Sequence, residues 1–564
     1  MDRARVMEAL EELARLSELE GDNPFKVRAY QNGARALDGA TTGPEGWEAP
    51  GALEAIPGVG KGIAQKVREL LRTGTMAELE AARERVPPGV REMLEIPGLG
   101  PKKVSALWRE MGITGPGELE YACVENRLAA LKGFGPKTQA RVLEGLSFRK
   151  SVRGKILLPA ARGFQEEVVA GTPPPAGAAW GWTGEGARSC EVVSGLELVT
   201  ADRGFAEALA ARHALAVSGD GFSGALPGGP ALSVRVVAPA GFGAALVWDA
   251  SAPAFREALA GRLAAAGLGW DAGGLRRGAR RVATPDEGAF WDAAGTPAVP
   301  AECREWAEAV GLDATSLVAE PDLRGAFHVH TDWSDGGASL EAMVAAAEAL
   351  GWSWVGICDH SASAAYAGGL DAGRLAEQGR AIAALQAGHP GIRVFKGVES
   401  DILGDGLLDY PREVLAGLEV VVASVHSRFS LREAEQTARL VRAASDPATT
   451  MLGHPTGRLL LAREGYAHDW EAVADAVAAA SAVVELNANP HRLDVDWRRI
   501  PALRAAGVRV AVNPDAHAPA GLKDVWYGLR MARKGLCTRS DVVNALEAPQ
   551  VAEWLNSLQR RARS

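Results

Sequence analysis

The sequence predicts a multidomain chain in which a helical N-terminal region and a mixed α+β middle precede a C-terminal parallel α/β barrel. Three observations carry that prediction. The chain has 564 residues and a mass of 59.0 kDa, more than one hydrophobic core usually serves. Residues 1–150 read as helices joined by Gly-Pro turns. From Gly325 onward the short apolar runs Trp354–Ile357, Val394–Phe395, Val420–Val425, Val483–Leu486 and Val508–Val512 alternate with Ala-rich helical stretches. That is the pattern of strands and crossover helices in a parallel barrel, whose active site lies at the C-terminal ends of the strands.

Composition narrows the function classes. Apolar residues are 47% and charged residues 23%, an ordinary globular balance. No apolar run reaches the roughly 18 residues that a membrane helix needs. The acidic start Met1–Leu16 lacks the basic opening and apolar centre of a signal peptide. A cytoplasmic chain with no membrane partner is expected. Its five cysteines, Cys123, Cys190, Cys303, Cys358 and Cys537, form no CxxC pair, which disfavours disulfides and thiolate zinc sites. A net charge of −9 argues against a surface that coats nucleic acid broadly and leaves room for small local contacts. Of ten histidines only His213 precedes His328, so metal chemistry is expected in the C-terminal part.

The N-terminal region holds a repeat: Ile56-Pro57-Gly58-Val59-Gly60-Lys61, then Ile96-Pro97-Gly98-Leu99-Gly100-Pro101-Lys102, then Leu131-Lys132-Gly133-Phe134-Gly135-Pro136-Lys137. Two glycines around an apolar residue allow positive φ in the turn. The turn then directs backbone N–H groups outward at a helix N-terminus, an anion site. Lys61, Lys102 and Lys137 follow the turns and can approach a second phosphate oxygen. A plain helical hairpin explains one copy; three copies, each with a lysine, point to phosphate. These residues resemble helix-hairpin-helix DNA-binding motifs, and Asn23-Pro24-Phe25-Lys26-Val27-Arg28-Ala29-Tyr30 resembles the entry of the small N-terminal domain of X-family DNA polymerases. The resemblance implies contacts to the sugar-phosphate backbone that position DNA without reading its sequence. It divides the region into a small DNA-binding domain, 1–75, and a fingers-like helical region, 76–150.

The middle also resembles that family. Val234-Arg235-Val236-Val237, followed by Phe242-Gly243-Ala244-Ala245-Leu246, is similar to the strand that bears the third catalytic Asp and the segment after it. The family pattern then puts Ser233 at that Asp, Gly195-Leu196-Glu197 at the Asp-x-Asp strand, and Gly184-Glu185 at the Gly-Ser turn. Gly195, Glu197 and Ser233 offer one carboxylate, too few for two magnesium ions, and Glu185 would face a triphosphate with the wrong charge. Asp202, the nearest other acid, follows a strand end and supplies no replacement. A palm-like domain over 151–236 with polymerase activity lost, a thumb-like domain over 237–300 and a linker over 301–324 are expected.

Residues 325–564 carry the densest signal. His328-Val329-His330 lies at a strand end, where i and i+2 share a face, so both imidazoles can reach one metal. Asp515-Ala516-His517 repeats the geometry. Between them Asp335, His360, Glu399, His426 and His454 each sit at or just past an apolar run. His213, His389, His468 and His491 lack that context and read as ordinary core or surface residues. These motifs resemble the PHP (polymerase and histidinol phosphatase) domain, a distorted (β/α)7 barrel with three metals. The resemblance implies one ion on His328, His330, Glu399 and Asp515, the catalytic set. It implies a second on Asp335, His360 and His517 and a third on Glu399, His426 and His454. Together with the hairpins, the chain is identified as a member of the bacterial X-family DNA polymerases with a C-terminal PHP domain.

His and carboxylate ligands suit manganese or zinc over magnesium. Clustered cations lower the pKa of water and hold phosphoryl oxygens, and Arg428 or Arg458 could clamp phosphate bidentately or merely form surface salt bridges. The leading expectation is a metal-dependent DNA phosphodiesterase. The resemblance implies 3′–5′ exonuclease activity and 3′-end processing on gapped, nicked or 3′-ended duplex, by a monomer. Alternatives are a histidinol-phosphate-type phosphatase, a still active gap-filling polymerase, and a DNA-binding scaffold with a structural metal cluster.

Overall fold

The computed structural model describes residues 3–563 other than 41, 48, 97, 125–127, 129, 130, 132, 133 and 153. They form two compact units, Met1–Arg153 and Gly154–Ser564. Among the described residues no helix is long and apolar enough to cross a membrane, and the five cysteines are free thiols.

Among the described residues the first unit has helices and no strand, with one apolar core running from Val6 to Leu146. Two hairpin turns show the same local physics. Val59 and Leu99 are buried while the flanking Gly58, Gly60, Gly98 and Gly100 are exposed. The buried residue pins the turn and leaves the glycine backbone facing solvent. Only the first glycine of each turn takes positive φ, +95° at Gly58 and +86° at Gly98. Gly60 and Gly100 are extended N-caps of the helices Lys61–Thr73 and Pro101–Met111, so one glycine of each pair supplies the positive φ expected in the turn. In the third copy Phe134 is buried and Gly135 exposed before the helix Pro136–Val152; Lys132 and Gly133 lie outside the described residues.

The second unit begins with a five-stranded sheet. Trp180–Thr183 pairs antiparallel with Gly195–Thr200, which runs parallel to Ala231–Val236. Gly221–Ala225 and Ala216–Ser218 complete it. A small antiparallel sheet, Leu268–Asp271, Gly274–Arg277 and Arg280–Arg281, follows with the helices Pro253–Ala265 and Glu287–Ala294 around a Phe255, Trp270, Phe290 core. Residues 301–324 are packed, with Cys303, Ala309, Leu317 and Val318 buried in neighbouring cores.

From Gly325 the chain forms the expected parallel barrel. Seven strands, Gly325–Val329, Trp354–Ile357, Arg393–Asp401, Val420–Ser424, Met451–Leu452, Val483–Asn487 and Val510–Asn513, are hydrogen-bonded in sequence order. The first and last meet where His330 N donates to Ala516 O at 2.9 Å and Ala516 N to His328 O at 3.3 Å. Every residue of six of the strands is buried, as expected of a parallel sheet covered by helices. Phe327, Phe395, Met451 and Ala511 share a core with Val551 and Leu555 of the helix Ala548–Arg563.

Candidate metal centre

The barrel brings all nine predicted donors together. Glu399 is central: its carboxylate lies 3.2 Å from His328 Nε2, 2.9 Å from His360 Nδ1, 3.2 Å from His426 Nε2 and 3.0 Å from His454 Nε2. Asp515 Oδ1 stands 3.3 Å from His330 Nε2 and 3.6 Å from His328 Nε2. Asp335 bridges His360 at 3.5 Å and His517 at 3.3 Å, and the His330 and His517 rings stack at 4.1 Å. Among the described residues, four groups have donor atoms close enough to share an ion. They are His330, Asp335, His360, His517; His328, His454, Asp515; His328, His330, Glu399; and His360, Glu399, His426. The grouping differs from that implied by the resemblance: His454 and Asp515 stand with His328, His330 also joins Asp335, His360 and His517, and His360 joins Glu399 and His426.

The interior of this cluster is buried, and Asp335 and His517 form its exposed rim at 33% and 39% side-chain exposure. His328 Nε2, both ring nitrogens of His330, Glu399 Oε2 and His454 Nδ1 are buried without a hydrogen-bond partner. Leaving such groups unmet costs about 1–3 kcal/mol each, and divalent ions would satisfy them. The donor set therefore fits metal. Electrostatics agree. Burial alone would raise the Glu399 and Asp515 carboxyls, yet the surrounding imidazoles hold both well below the usual range. Burial opposes charge on His360 and His426, but Glu399 with Asp335 or Asp401 outweighs it and raises them to about 10 and about 9. His330, buried and facing His517, falls to about 3.

Several contributors carry no signal of the kind that marked the donors. Asp401 Oδ1 accepts from His426 Nδ1 at 2.6 Å, and Glu485 Oε1 from His328 Nδ1 at 2.6 Å; such outer carboxylates orient and strengthen metal-binding imidazoles. Their trace in the sequence is period-2 spacing: Asp401 follows Glu399 by two, and Glu485 and Asn487 interrupt the apolar run from Val483. Arg492 Nε lies 3.6 Å from Asp515 Oδ2, close to the cluster. Of the two arginines proposed as clamps, Arg428 is exposed, and its guanidinium makes no hydrogen bond or ion pair among the described residues. Arg458 is a correction. Each of its three guanidinium nitrogens is held, by Arg492 O at 2.9 Å, Asp496 Oδ2 at 2.7 Å and Leu493 O, so it braces the Arg492 loop and does not stand free as a phosphate clamp.

The palm-like sheet places its marked positions together. Glu197 lies opposite Ser233 on parallel strands and opposite Thr183 on the other side. Glu197 and Ser233 share the exposed face with Gly195, while Leu196, Leu198, Leu232 and Val234 turn into the core. A Cβ on Gly184 would come within 2.5 Å of Glu197 Oε1. Glu185 Oε2 accepts from Ser194 N at 2.6 Å, Asp249 pairs with Arg235 at 2.8 Å, and Asp202 caps the helix Arg203–His213.

Comparison with known proteins follows the same division. Residues 1–76 match the helix-hairpin-helix domain, residues 90–147 the SAM-like helix-hairpin-helix tandem, and residues 326–489 the PHP domain. The chain is 31% identical to the DNA polymerase/3′-5′ exonuclease PolX of Bacillus subtilis, over 98% of its own length and 99% of that protein. The chain belongs to the PolX family. The chain is also 31% identical to a protein of Caldanaerobacter subterraneus named "Probable phosphatase", over 22% of this chain and 52% of that one. A protein of the same description from Thermoanaerobacter sp. is 25% identical over 30% of this chain and 71% of that one. As a PolX-family chain with a PHP domain, the protein is a metal-dependent phosphoesterase, and its helix-hairpin-helix domains are DNA-binding modules. The PHP match ends at residue 489, so Asp515 and His517 join the cluster through barrel closure.

Proposed function

We propose that this PolX-family chain is a 3′–5′ exonuclease that trims or repairs 3′ ends on gapped, nicked or 3′-ended duplex, acting as a monomer with its polymerase activity lost. The convergence of nine donors at the strand ends, with buried nitrogens that no protein group satisfies, carries the reading. His328, His330, Asp335, His360, Glu399, His426, His454, Asp515 and His517 hold three divalent ions, manganese or zinc. Such ions supply Lewis acidity to a phosphoryl oxygen and lower the pKa of water. The chain's own residues do the rest. His328, His330, Glu399 and Asp515 form the catalytic floor, and Arg492 and Arg428 provide fixed positive charge for the phosphodiester. Gly58, Gly60, Lys61, Gly98, Gly100, Lys102, Gly133, Gly135 and Lys137 grip the duplex. At Gly184, Glu185, Gly195, Glu197 and Ser233 the palm face offers no aspartate, which supports a platform for DNA in place of nucleotidyl transfer.

The test uses one 5′-labelled primer–template with manganese, with and without dNTPs, against a His328→Ala, His330→Ala double variant. Primer shortening that vanishes in the variant is the expected result. Extension with dNTPs would overturn the loss of polymerase activity. The similarity of part of the chain to proteins named as phosphatases favours one second reading, hydrolysis of small phosphate monoesters. Monoester turnover without primer shortening would put it first.

A further inference from the structure

Six of the seven barrel strands, or the loops that follow them, deliver the donors. The sixth, Val483–Asn487, delivers none, yet its polar side chains Glu485 and Asn487 are fully buried and, two apart, share one face. Four N–H groups converge on the Glu485 carboxylate. Oε1 accepts from His328 Nδ1 at 2.6 Å and Asn513 Nδ2 at 2.9 Å. Oε2 accepts from His454 N at 2.7 Å and Asn487 Nδ2 at 3.3 Å. Asn487 Nδ2 also reaches Asp515 Oδ2 at 3.0 Å. The three residues held this way, His328, His454 and Asp515, have φ of +58°, +25° and +51°. Residues with side chains adopt that region at a cost of order 1–3 kcal/mol and persist there only where their surroundings over-determine them. The same three residues form one of the groups able to share an ion.

We propose that Glu485, assisted by Asn487, is the positioning residue of the metal centre: it locks the three left-handed donors and keeps the His328 proton on Nδ1, leaving Nε2 for the ion. It sets the affinity of the ion on His328, His454 and Asp515 without ligating it. The inference rests on the metal reading above. A carboxylate is required, because either orientation of a glutamine amide would aim its NH2 at two of the four N–H donors.

The test titrates the full-length protein, stripped with EDTA, with Mn2+ alone and follows free Mn2+ by electron paramagnetic resonance. In E485Q one ion loses about 10–100-fold in affinity, while the ions on His330–Asp335–His360–His517 and His360–Glu399–His426 keep theirs and far-UV circular dichroism is unchanged. N487A weakens the same ion by less. Wild-type affinity for every ion in E485Q would overturn the proposal. So would a uniform loss of all ions together with the dichroism, which would make Glu485 an ordinary core residue. A wild-type protein that binds no Mn2+ would remove the metal reading and this inference with it. Selective weakening in a protein that leaves DNA intact would uphold the inference and sink the exonuclease.

Discussion

Protonation sets the first behaviour to measure at the residue scale. In the metal-free protein His360 and His426 are raised to about 10 and about 9, so both carry a proton at pH 7. A metal ligand must be neutral. Metal uptake should therefore release protons at pH 7, and affinity should rise as pH climbs toward 9–10. Calorimetry in buffers of different ionisation enthalpy reads the count directly; metal uptake without proton release would contradict these shifts. The two arginines nearest each other in role should separate just as cleanly. Arg492→Ala should lower kcat/KM on DNA by roughly 10–100-fold, the worth of one charge-assisted hydrogen bond. Arg458→Ala, which loses bonds to Arg492 O, Leu493 O and Asp496, should appear chiefly as a lower Tm.

At the scale of elements, the grip on DNA proposed for the hairpin turns runs through backbone N–H groups at helix starts. No side chain caps Lys61–Thr73 or Pro101–Met111; Pro101 has no N–H, so the first donors are Lys61 N and Lys102 N, and both lysines are exposed. Replacing both lysines with Ala should weaken binding equally on every sequence and flatten the salt dependence by about two counterions. A loss confined to certain sequences would contradict backbone contact. The strand pair Gly195–Thr200 and Ala231–Val236 shows the opposite case, an intact frame whose register still sets Glu197 against Ser233. The frame survives because burial of Leu196, Leu198, Leu232 and Val234 holds the strands whatever the exposed face carries.

Across the second unit, the palm-like part and the barrel are joined by ions as well as apolar surface. Glu191, 8% exposed, lies 2.6 Å from Arg498 Nη1 and accepts from Trp497 Nε1 at 2.8 Å. Burial would raise its carboxyl, but Arg498 and Arg458 outweigh that and lower it to about 2. A depressed carboxyl stabilises the fold above its unfolded value, about 4.3, and the contribution disappears as pH falls toward 2. Glu191→Gln should therefore cost on the order of 1–3 kcal/mol at pH 7 and almost nothing at pH 2; an equal cost at both would exclude the ion pair as the cause. Metal should stabilise the barrel by mass action, about 2.7 kcal/mol when free ion stands 100-fold above its Kd. A Tm unmoved by EDTA would count against bound ions in the native protein.

The barrel and the convergence of the nine candidate donors were legible in the sequence because these residues lie at or just past strand ends, and strand ends in a parallel barrel converge by topology. The hairpins were legible because glycine and proline punctuate a repeated turn. The two central strands of the middle sheet were legible because buried and exposed residues alternate along Leu196–Leu198 and Leu232–Val234. What the sequence could not assign depended on which side chains meet. Arg428 and Arg458 look alike in sequence, and only packing shows one exposed and the other consumed by carbonyls. Glu485 and Asp401 stand far along the chain from His328 and only loosely near His426, so their hydrogen bonds exist only once the strands close side by side. The sharing of His328 and His454 is a matter of distances of a few ångströms, which period and spacing do not encode and the closed barrel does.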